Sequence, residues 1–281
     1  MIVFPKAKIN LGLNVVERRP DGYHNLETVF YPVRLCDALE VLPMDKRFPT
    51  QGHFSLSVLN IAVDGDTDNN LVARAYKLLA ADFPQMDRVH AHLFKAIPTQ
   101  AGMGGGSSDG AYMIRLLNDM FRLGLSSEQM MAYAVRLGAD CPFFIMDQPA
   151  YAEGIGERLT PIELNLEDYM LAIVKPDIPV PTREAFALIK PHKPQRNCLT
   201  IVKQPIETWR DELVNDFEQS VFALHPEIAA VKEQLYDMGA VYAAMSGSGS
   251  AVFAFFRKAD VPHLCMLDDE PAFDGMFKQM L

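Results

Sequence analysis

The stretch PTQAGMGGGSSDGA, residues 98–111, sets Gly102, Gly104, Gly105 and Gly106 within five positions of an otherwise apolar region. So much bare main chain argues against side-chain packing as its purpose. Glycine reaches backbone conformations closed to other residues and lets a ligand touch the main chain directly. Consecutive amides in such a loop can turn inward as a concave anion site, strengthened by the positive end of a following helix. Ala111, Ile114, Leu117 and Phe121 recur at helical spacing just after the loop, and RVHAHLFKAI (88–97) reads as a strand just before it. Strand, glycine loop and helix thus follow in the order that phosphate binding requires, and Ser107 and Ser108 add hydroxyls able to bond phosphate or reach a bound Mg²⁺. A flexible loop or a close helix–strand contact would explain an isolated glycine cluster equally well. The loop lacks GxxxxGK[ST] and fails the GxGxxG spacing, which excludes a Walker-type P-loop and disfavours a dinucleotide fold.

Outward from the loop, KINLGLNV (8–15) alternates strictly. Ile9, Leu11, Leu13 and Val15 share one face of a strand, and Lys8, Asn10, Gly12 and Asn14 the other, which for an isolated strand faces solvent; asparagine and glycine are poor strand formers, however, so a face built from them also points to something approaching it closely. RRPDGYHNLETVFYPV (18–33) begins with a Pro-Asp-Gly turn and continues as a second strand, so the pair reads as a hairpin. Asn69 and Asn70 stand where a helix beginning with LVARAYKLLAADF needs a cap. Ser126 and Gln129 form a capping box for a helix that stops at Gly138. Asp140 follows, then Cys141-Pro142 and an apolar run read as a strand. Further on come the strand YMLAIVKP, the helix PEIAAVKEQLYDMG, a small-residue loop SGSGS (246–250) and the strand AVFAFF. Strands and helices mix without regular alternation, so the fold class is α+β, with two domains expected at 1–150 and 151–281.

The chain has 281 residues, of which 49% are hydrophobic and 22% charged, an ordinary globular composition. A net charge of -10 argues against nucleic acid or an anionic membrane as main partner. A small anionic ligand is not excluded, because a few amides and one lysine suffice to hold phosphate. Cys36, Cys141, Cys198 and Cys265 form no CxxC pair, which suits a reducing cytoplasm and points to neither zinc nor redox chemistry. Pro5 interrupts the apolar start MIVFPKAK, and no run reaches membrane-spanning length.

Residues 98–111 resemble the ATP-binding loop of the GHMP kinases, named for galactokinase, homoserine kinase, mevalonate kinase and phosphomevalonate kinase, which reads P-x-x-x-G-L-G-G-G-S-S-x-A. PKAKINLGL (5–13), RPDGYHNLETVF (19–30) and LGADCPFF (137–144) resemble the branch that phosphorylates the 2-hydroxyl of a cytidylyl methylerythritol diphosphate in non-mevalonate isoprenoid synthesis. The likeness runs from Pro5 to MSGSGSAVFAFF (245–256). It implies a two-domain GHMP kinase architecture with the active site in the cleft between domains, ATP and Mg²⁺ as cofactors, a small-molecule substrate, and a cytoplasmic monomer or weak homodimer. Asp140 then matches the catalytic base and Lys8 its partner. Asn10, Tyr23, His24 and Phe186 match the substrate side, Tyr23 and Phe186 as rings about the cytosine and His24 at its polar edge. Pro98, Thr99, Gln100, Ala101, Gly102, Met103, Gly104, Gly105, Gly106, Ser107 and Ser108 match the triphosphate loop, with the two serines toward the metal. Asn70 and Lys95 match positions near adenine.

Three positions depart from the family pattern. Met103 stands for leucine, Asp109-Gly110 for asparagine-alanine, and Cys141 for valine. A carboxylate beside a triphosphate would repel it, so Asp109 is expected as a favourable acid in the first helical turn. Another GHMP kinase, a related decarboxylase, or an idle nucleotide-binding protein on the same fold are the rival readings. DGYH with its paired rings argues against the first two, and retention of both Lys8 and Asp140 against the third.

Overall fold

The computed structural model describes residues 1–44, 52–61, 66–260 and the backbone of 277–280; Cys265 lies outside them. Among these the strands are β1 (Ile2–Val3), β2 (Lys6–Arg18), β3 (His24–Cys36), β4 (Ala38–Pro43), β5 (Phe54–Asn60), β6 (Val89–Lys95), β7 (Ala150–Gly154), β8 (Arg158–Pro161), β9 (Tyr169–Val174), β10 (Tyr242–Met245), β11 (Val252–Arg257) and β12 (Phe277–Met280). The helices are α1 (Leu71–Asp82), α2 (Gly105–Phe121), α3 (Ser127–Leu137), α4 (Cys141–Met146), α5 (Thr182–Ala185), α6 (Cys198–Ile201), α7 (Trp209–Glu212), α8 (Phe217–Leu224) and α9 (Pro226–Asp237). The mixture is α+β, as the sequence pattern predicts. None of the described helices is long and apolar enough to cross a membrane.

The chain forms two compact units: residues 1–8, 32–99 and 104–148 make the first, and 9–31, 100–103 and 149–281 the second. In the first, a sheet of order β1-β4-β6-β5 carries one parallel pair, β5 with β6. Helix α1 packs on β5 and on α2, and α2 also meets α3 and α4. Helix α1 starts where Asn70 caps it, its side-chain oxygen accepting from the Val72 N–H at 2.9 Å. The capping box of α3 is present in both directions, Ser126 to Gln129 and back.

The apolar run after Cys141-Pro142 is a helix, not the strand expected from sequence. Six apolar residues cannot distinguish a buried strand from a buried helical turn by periodicity. Pro142 decides it, because a proline in the first turn gives up only an N–H that has no intrahelical acceptor. Residues 141–145 are all buried.

In the second unit a sheet of order β10-β11-β9-β12 is antiparallel throughout. Val174, Phe217, Val221, Ile228, Leu235 and Val252 belong to its apolar core. Strands β2 and β3 are neighbours in a further sheet, β2-β3-β7-β8, joined by the turn in which Gly22 N–H donates to the Arg19 carbonyl at 3.1 Å. The hairpin expectation therefore holds. The second face of β2 does not meet solvent, as an isolated strand would: Lys8, Asn10 and Asn14 are only 4%, 2% and 4% exposed. Its asparagines are satisfied by β3 instead, since Asn10 Nδ2 donates to Thr28 Oγ1 at 3.1 Å and Asn14 Nδ2 to Glu27 Oε1 at 2.8 Å.

Residues 100–103 join the second unit by pairing with the turn 246–251. Ser250 N–H donates to the Gln100 carbonyl at 3.3 Å, and Ser246 Oγ–H to the Gly102 carbonyl at 2.9 Å. Gly102 has φ +70°, and a Cβ there would stand 1.8 Å from the Ser246 carbonyl oxygen. Both strain and collision therefore oppose any side chain. Gly102→Ala should cost at least ~2 kcal/mol, read as a lower urea midpoint at unchanged slope; a wild-type midpoint would refute this packing.

Candidate active site

In the first unit helix α2 begins at Gly105 behind Gly104, whose φ of +70° favours glycine and which offers no capping side chain. The first-turn amides of α2 are thus left uncapped by any side chain, at the positive end of a 17-residue helix. The glycines are also packing residues, contrary to the expectation from sequence. A Cβ on Gly104 would come 2.8 Å from Phe144 and 3.3 Å from the Lys8 stem, and one on Gly105 within 3.2 Å of the Lys95 ammonium. Gly106 alone of the three has open space where its side chain would be. The bare backbone therefore admits two lysines and a phenylalanine to the helix start, and leaves one position clear. Gly110 has a similar cause, since a Cβ there would lie 2.9 Å from the Leu71 side chain where α1 crosses α2.

Lys8 lies 3.9 Å from Asp140, with the lysine side chain 5% exposed and the aspartate 35%. Burial pulls the Lys8 ammonium below its ordinary basicity, and the charge of Asp140 only partly restores it. Asp140 occupies the N-cap position of α4 yet makes no capping hydrogen bond. Its carboxylate is thereby spared the helix's own demand, so the pair expected from sequence is brought together.

A second buried lysine is held differently. Lys95 ends β6 between Asp37, which it contacts directly, and Asp109 at 2.8 Å. Asp37 also accepts from the N–H groups of Ala96 and Ile97 at 2.6 and 2.8 Å. Burial would lower the Lys95 pKa, but attraction to Asp109 and Asp37, with their hydrogen bonds, outweighs it and leaves the pKa above that of free lysine. Burial pushes the Asp109 carboxyl well above the usual range against the pull of Lys95. The expectation that Asp109 is a favourable first-turn acid is therefore corrected. It lies beyond the first turn, is 2% exposed and pairs with a lysine. Sequence gave no signal for Asp37, which lies 58 positions from Lys95.

Asn70, Lys95, Thr99, Gly106 and Asp109 line one cavity of about 250 Å³, with Val58 and Leu71 as apolar wall. Pro98 is half-buried beside it in sequence, and Thr99 is exposed. Ser108 is fully buried and its Oγ makes no hydrogen bond, whereas the Ser107 hydroxyl bonds the Cys141 thiol, which burial pushes up to about 12. Among the described residues no cluster of His, Cys, Asp and Glu is arranged to hold a metal.

The second unit holds Gln100, Ala101 and Gly102 against the 246–251 turn, and Met103, of the same unit, is 1% exposed. Asn10 is buried there, its N–H donating to Ser246 Oγ at 3.3 Å. Ser246 itself was not singled out from sequence, although its SGSGS loop was. His24 stacks on Phe186 with centroids 4.7 Å apart, and Phe186 meets Phe217 edge-on at 4.7 Å. Burial and the nearby Arg18 lower the His24 pKa. Tyr23, on the turn beside it, is 63% exposed.

Two family descriptions match: the GHMP kinases N-terminal domain over residues 70–154 and the GHMP kinases C-terminal domain over 199–264. A 4-diphosphocytidyl-2-C-methyl-D-erythritol kinase of Bacteroides thetaiotaomicron is 52% identical over 257 residues, covering 92% of each chain. The protein of the same name from Parabacteroides distasonis is 47% identical over 258 residues, again 92% of each. A crystal structure of a 4-(cytidine 5'-diphospho)-2C-methyl-D-erythritol kinase superposes with a TM-score of 0.82 at 31% identity, over 99% of this chain and 98% of that one. Mevalonate kinase of Methanococcus jannaschii gives 0.68 at 14% identity, over 99% and 96%, a likeness of fold alone.

Removing the Lys95 charge would leave the buried carboxyl groups of Asp37 and Asp109 without a counter-charge. Lys95→Met should therefore cost ~3–5 kcal/mol at neutral pH. Those carboxyls would then titrate higher folded than unfolded, so the loss should shrink as the pH falls toward ~4, where the unfolded chain also takes up the protons. Urea titrations at pH 7.5 and 4.5 check both statements.

Proposed function

This chain belongs to the GHMP kinases, in the branch of the 4-diphosphocytidyl-2-C-methyl-D-erythritol kinases, and from that premise we infer how its residues divide the work of phosphoryl transfer. The enzyme phosphorylates the 2-hydroxyl of 4-diphosphocytidyl-2-C-methyl-D-erythritol with ATP as donor, a step of isoprenoid precursor synthesis. On this reading the nucleotide-binding domain is the one expected at 1–150, apart from segments 9–31 and 100–103, which pack with 149–281, and 151–281 make the second domain. The scattered cysteines support a cytoplasmic setting.

Phosphoryl transfer asks mainly for positioning and for neutralisation of charge spread over the transferred group. The uncapped amides at the start of α2, with Gly104, Gly105 and Gly106 offering no side chain in the way, suit the triphosphate. Asp140 takes the proton of the 2-hydroxyl as its oxygen bonds to the γ-phosphorus, the bond to the bridging oxygen breaks, and ADP leaves. The Lys8 ammonium faces Asp140 and the same developing negative charge. The observation that carries this assignment is that the Lys8 stem lies against Gly104 while its ammonium faces Asp140. One buried lysine thereby links the helix start to the base.

Mg²⁺, when bound with the triphosphate, would neutralise charge on its oxygens. This ion is usually held by phosphates and water with few protein ligands, so the absence of an acidic cluster among the described residues is compatible with it. Ser107 and Ser108 are the hydroxyls assigned to it or to the phosphates, and the orphaned Ser108 Oγ fits that use. On the acceptor side we assign Asn10, Tyr23, His24 and Phe186 to the substrate. The exposed ring of Tyr23 suits stacking on a base, an interaction worth ~1–3 kcal/mol in nucleic-acid binders.

ADP release should require the cytidylyl methylerythritol substrate, with neither mevalonate nor homoserine replacing it. In that assay Asp140→Ala should lower kcat by ~10²–10⁴ with KM for ATP within about threefold; unchanged kcat would remove Asp140 from the chemistry. Tyr23→Ala should raise KM for the cytidylyl substrate about tenfold, equivalent to ~1.4 kcal/mol, and leave KM for ATP alone. Equal changes in both constants would undo the base-stacking assignment.

A further inference from the structure

We propose that Asp109 is a specificity-determining residue for the nucleotide, its free oxygen Oδ1 accepting a hydrogen bond from a donor group on the nucleoside. The inference rests on the reading above that the cavity beside the α2 start receives ATP.

Three observations converge on it. Asp109 is 2% exposed and lines the cavity with Asn70, Lys95, Thr99 and Gly106. Its two oxygens are used unequally: Oδ2 accepts from the Lys95 ammonium at 2.8 Å, in a carboxyl that also meets Asp37, whereas Oδ1 is buried and finds no donor among the described residues. A buried carboxylate oxygen left unpaired is costly, and such groups are normally satisfied by protein, water or ligand. The third observation concerns Lys95, which cannot serve as a free counter-charge for phosphate because Asp37 and Asp109 both hold it. The Lys95 ammonium is thus already engaged by two carboxyl groups at the cavity wall. What the wall lacks is a hydrogen-bond donor for Oδ1. The nucleoside end of ATP offers such donors in the exocyclic amine of adenine and in the ribose hydroxyls. The triphosphate end is thereby directed away from Asp109, toward the uncapped amides of α2.

The wild-type enzyme is assayed for kcat/KM with ATP, with inosine triphosphate, which carries a carbonyl in place of the amine, and with 2'-deoxy- and 3'-deoxy-ATP. Discrimination of at least about tenfold against one of these is expected, since a site built to accept a hydrogen bond rejects the analogue that lacks the donor. Asp109→Asn retains an oxygen for Lys95 and turns an N–H₂ toward the cavity. It should reduce that discrimination by at least about tenfold. Loss of the ATP preference over inosine triphosphate identifies the amine as the donor, and loss of the preference over a deoxy analogue identifies the hydroxyl. Thr99→Trp, at an exposed wall residue, serves as the control by narrowing the cavity and raising KM for ATP. If Thr99→Trp raises that KM while Asp109→Asn, verified as folded by its urea transition, leaves all ratios as in wild type, Asp109 is merely the counter-ion of Lys95 and this inference falls alone. Absence of any discrimination in the wild type overturns it without recourse to a variant. An unchanged KM in Thr99→Trp removes the nucleotide from the cavity and overturns both readings.

Discussion

Where Gly104 and Gly105 lack a Cβ, helix α2 begins in contact with Phe144, Ile97 and the side chains of Lys8 and Lys95. A methyl group at either position would displace one of these neighbours. The two buried lysines, their acidic partners and the uncapped amides of the first helical turn all depend on that absence. The glycine run is thus a packing device at Gly104 and Gly105, and at Gly106 it leaves the open space that the proposed triphosphate site uses. The choice between those explanations, open at the level of sequence, does not arise in the structure.

The two lysines are alike in burial and opposite in use. Lys8 has one acidic neighbour at 3.9 Å, a carboxylate that is itself one-third exposed, and burial dominates its basicity. Lys95 has two acids in direct contact, and attraction dominates. A lysine with weakened basicity beside a half-open aspartate suits a reaction in which charge develops. One locked between two carboxylates suits a fixed wall.

Much of this was legible in the sequence because it is local. The strand, loop and helix order around residues 98–111, the Asn70 cap, the Ser126 capping box and the hairpin turn at Pro20-Asp21-Gly22 are each encoded within a few residues. What escaped is long-range. Asp37 reaches Lys95 across 58 positions, and nothing in its own neighbourhood announces a buried acid. Asp109 read as a helix-start acid because its partner was invisible. For the polar face of β2 the sequence left solvent and a close neighbour both open, because the groups that satisfy it, Thr28 and Glu27, lie on the strand beyond the turn. The segment 141–146 failed for another reason: six apolar residues carry no usable period, and only the position of Pro142 distinguishes the outcomes.

Asn70 shows how little latitude such a site leaves to evolution. Its side-chain oxygen is committed to the Val72 amide at the start of α1, while the residue also lines the cavity, so only the side-chain N–H₂ remains for a visitor. Serine, threonine or aspartate would serve the helix equally well, but none presents an amide nitrogen. If the cavity receives the nucleotide as proposed, drift at this position is filtered twice, once by folding and once by recognition, and a substitution harmless to the first would surface only in the second.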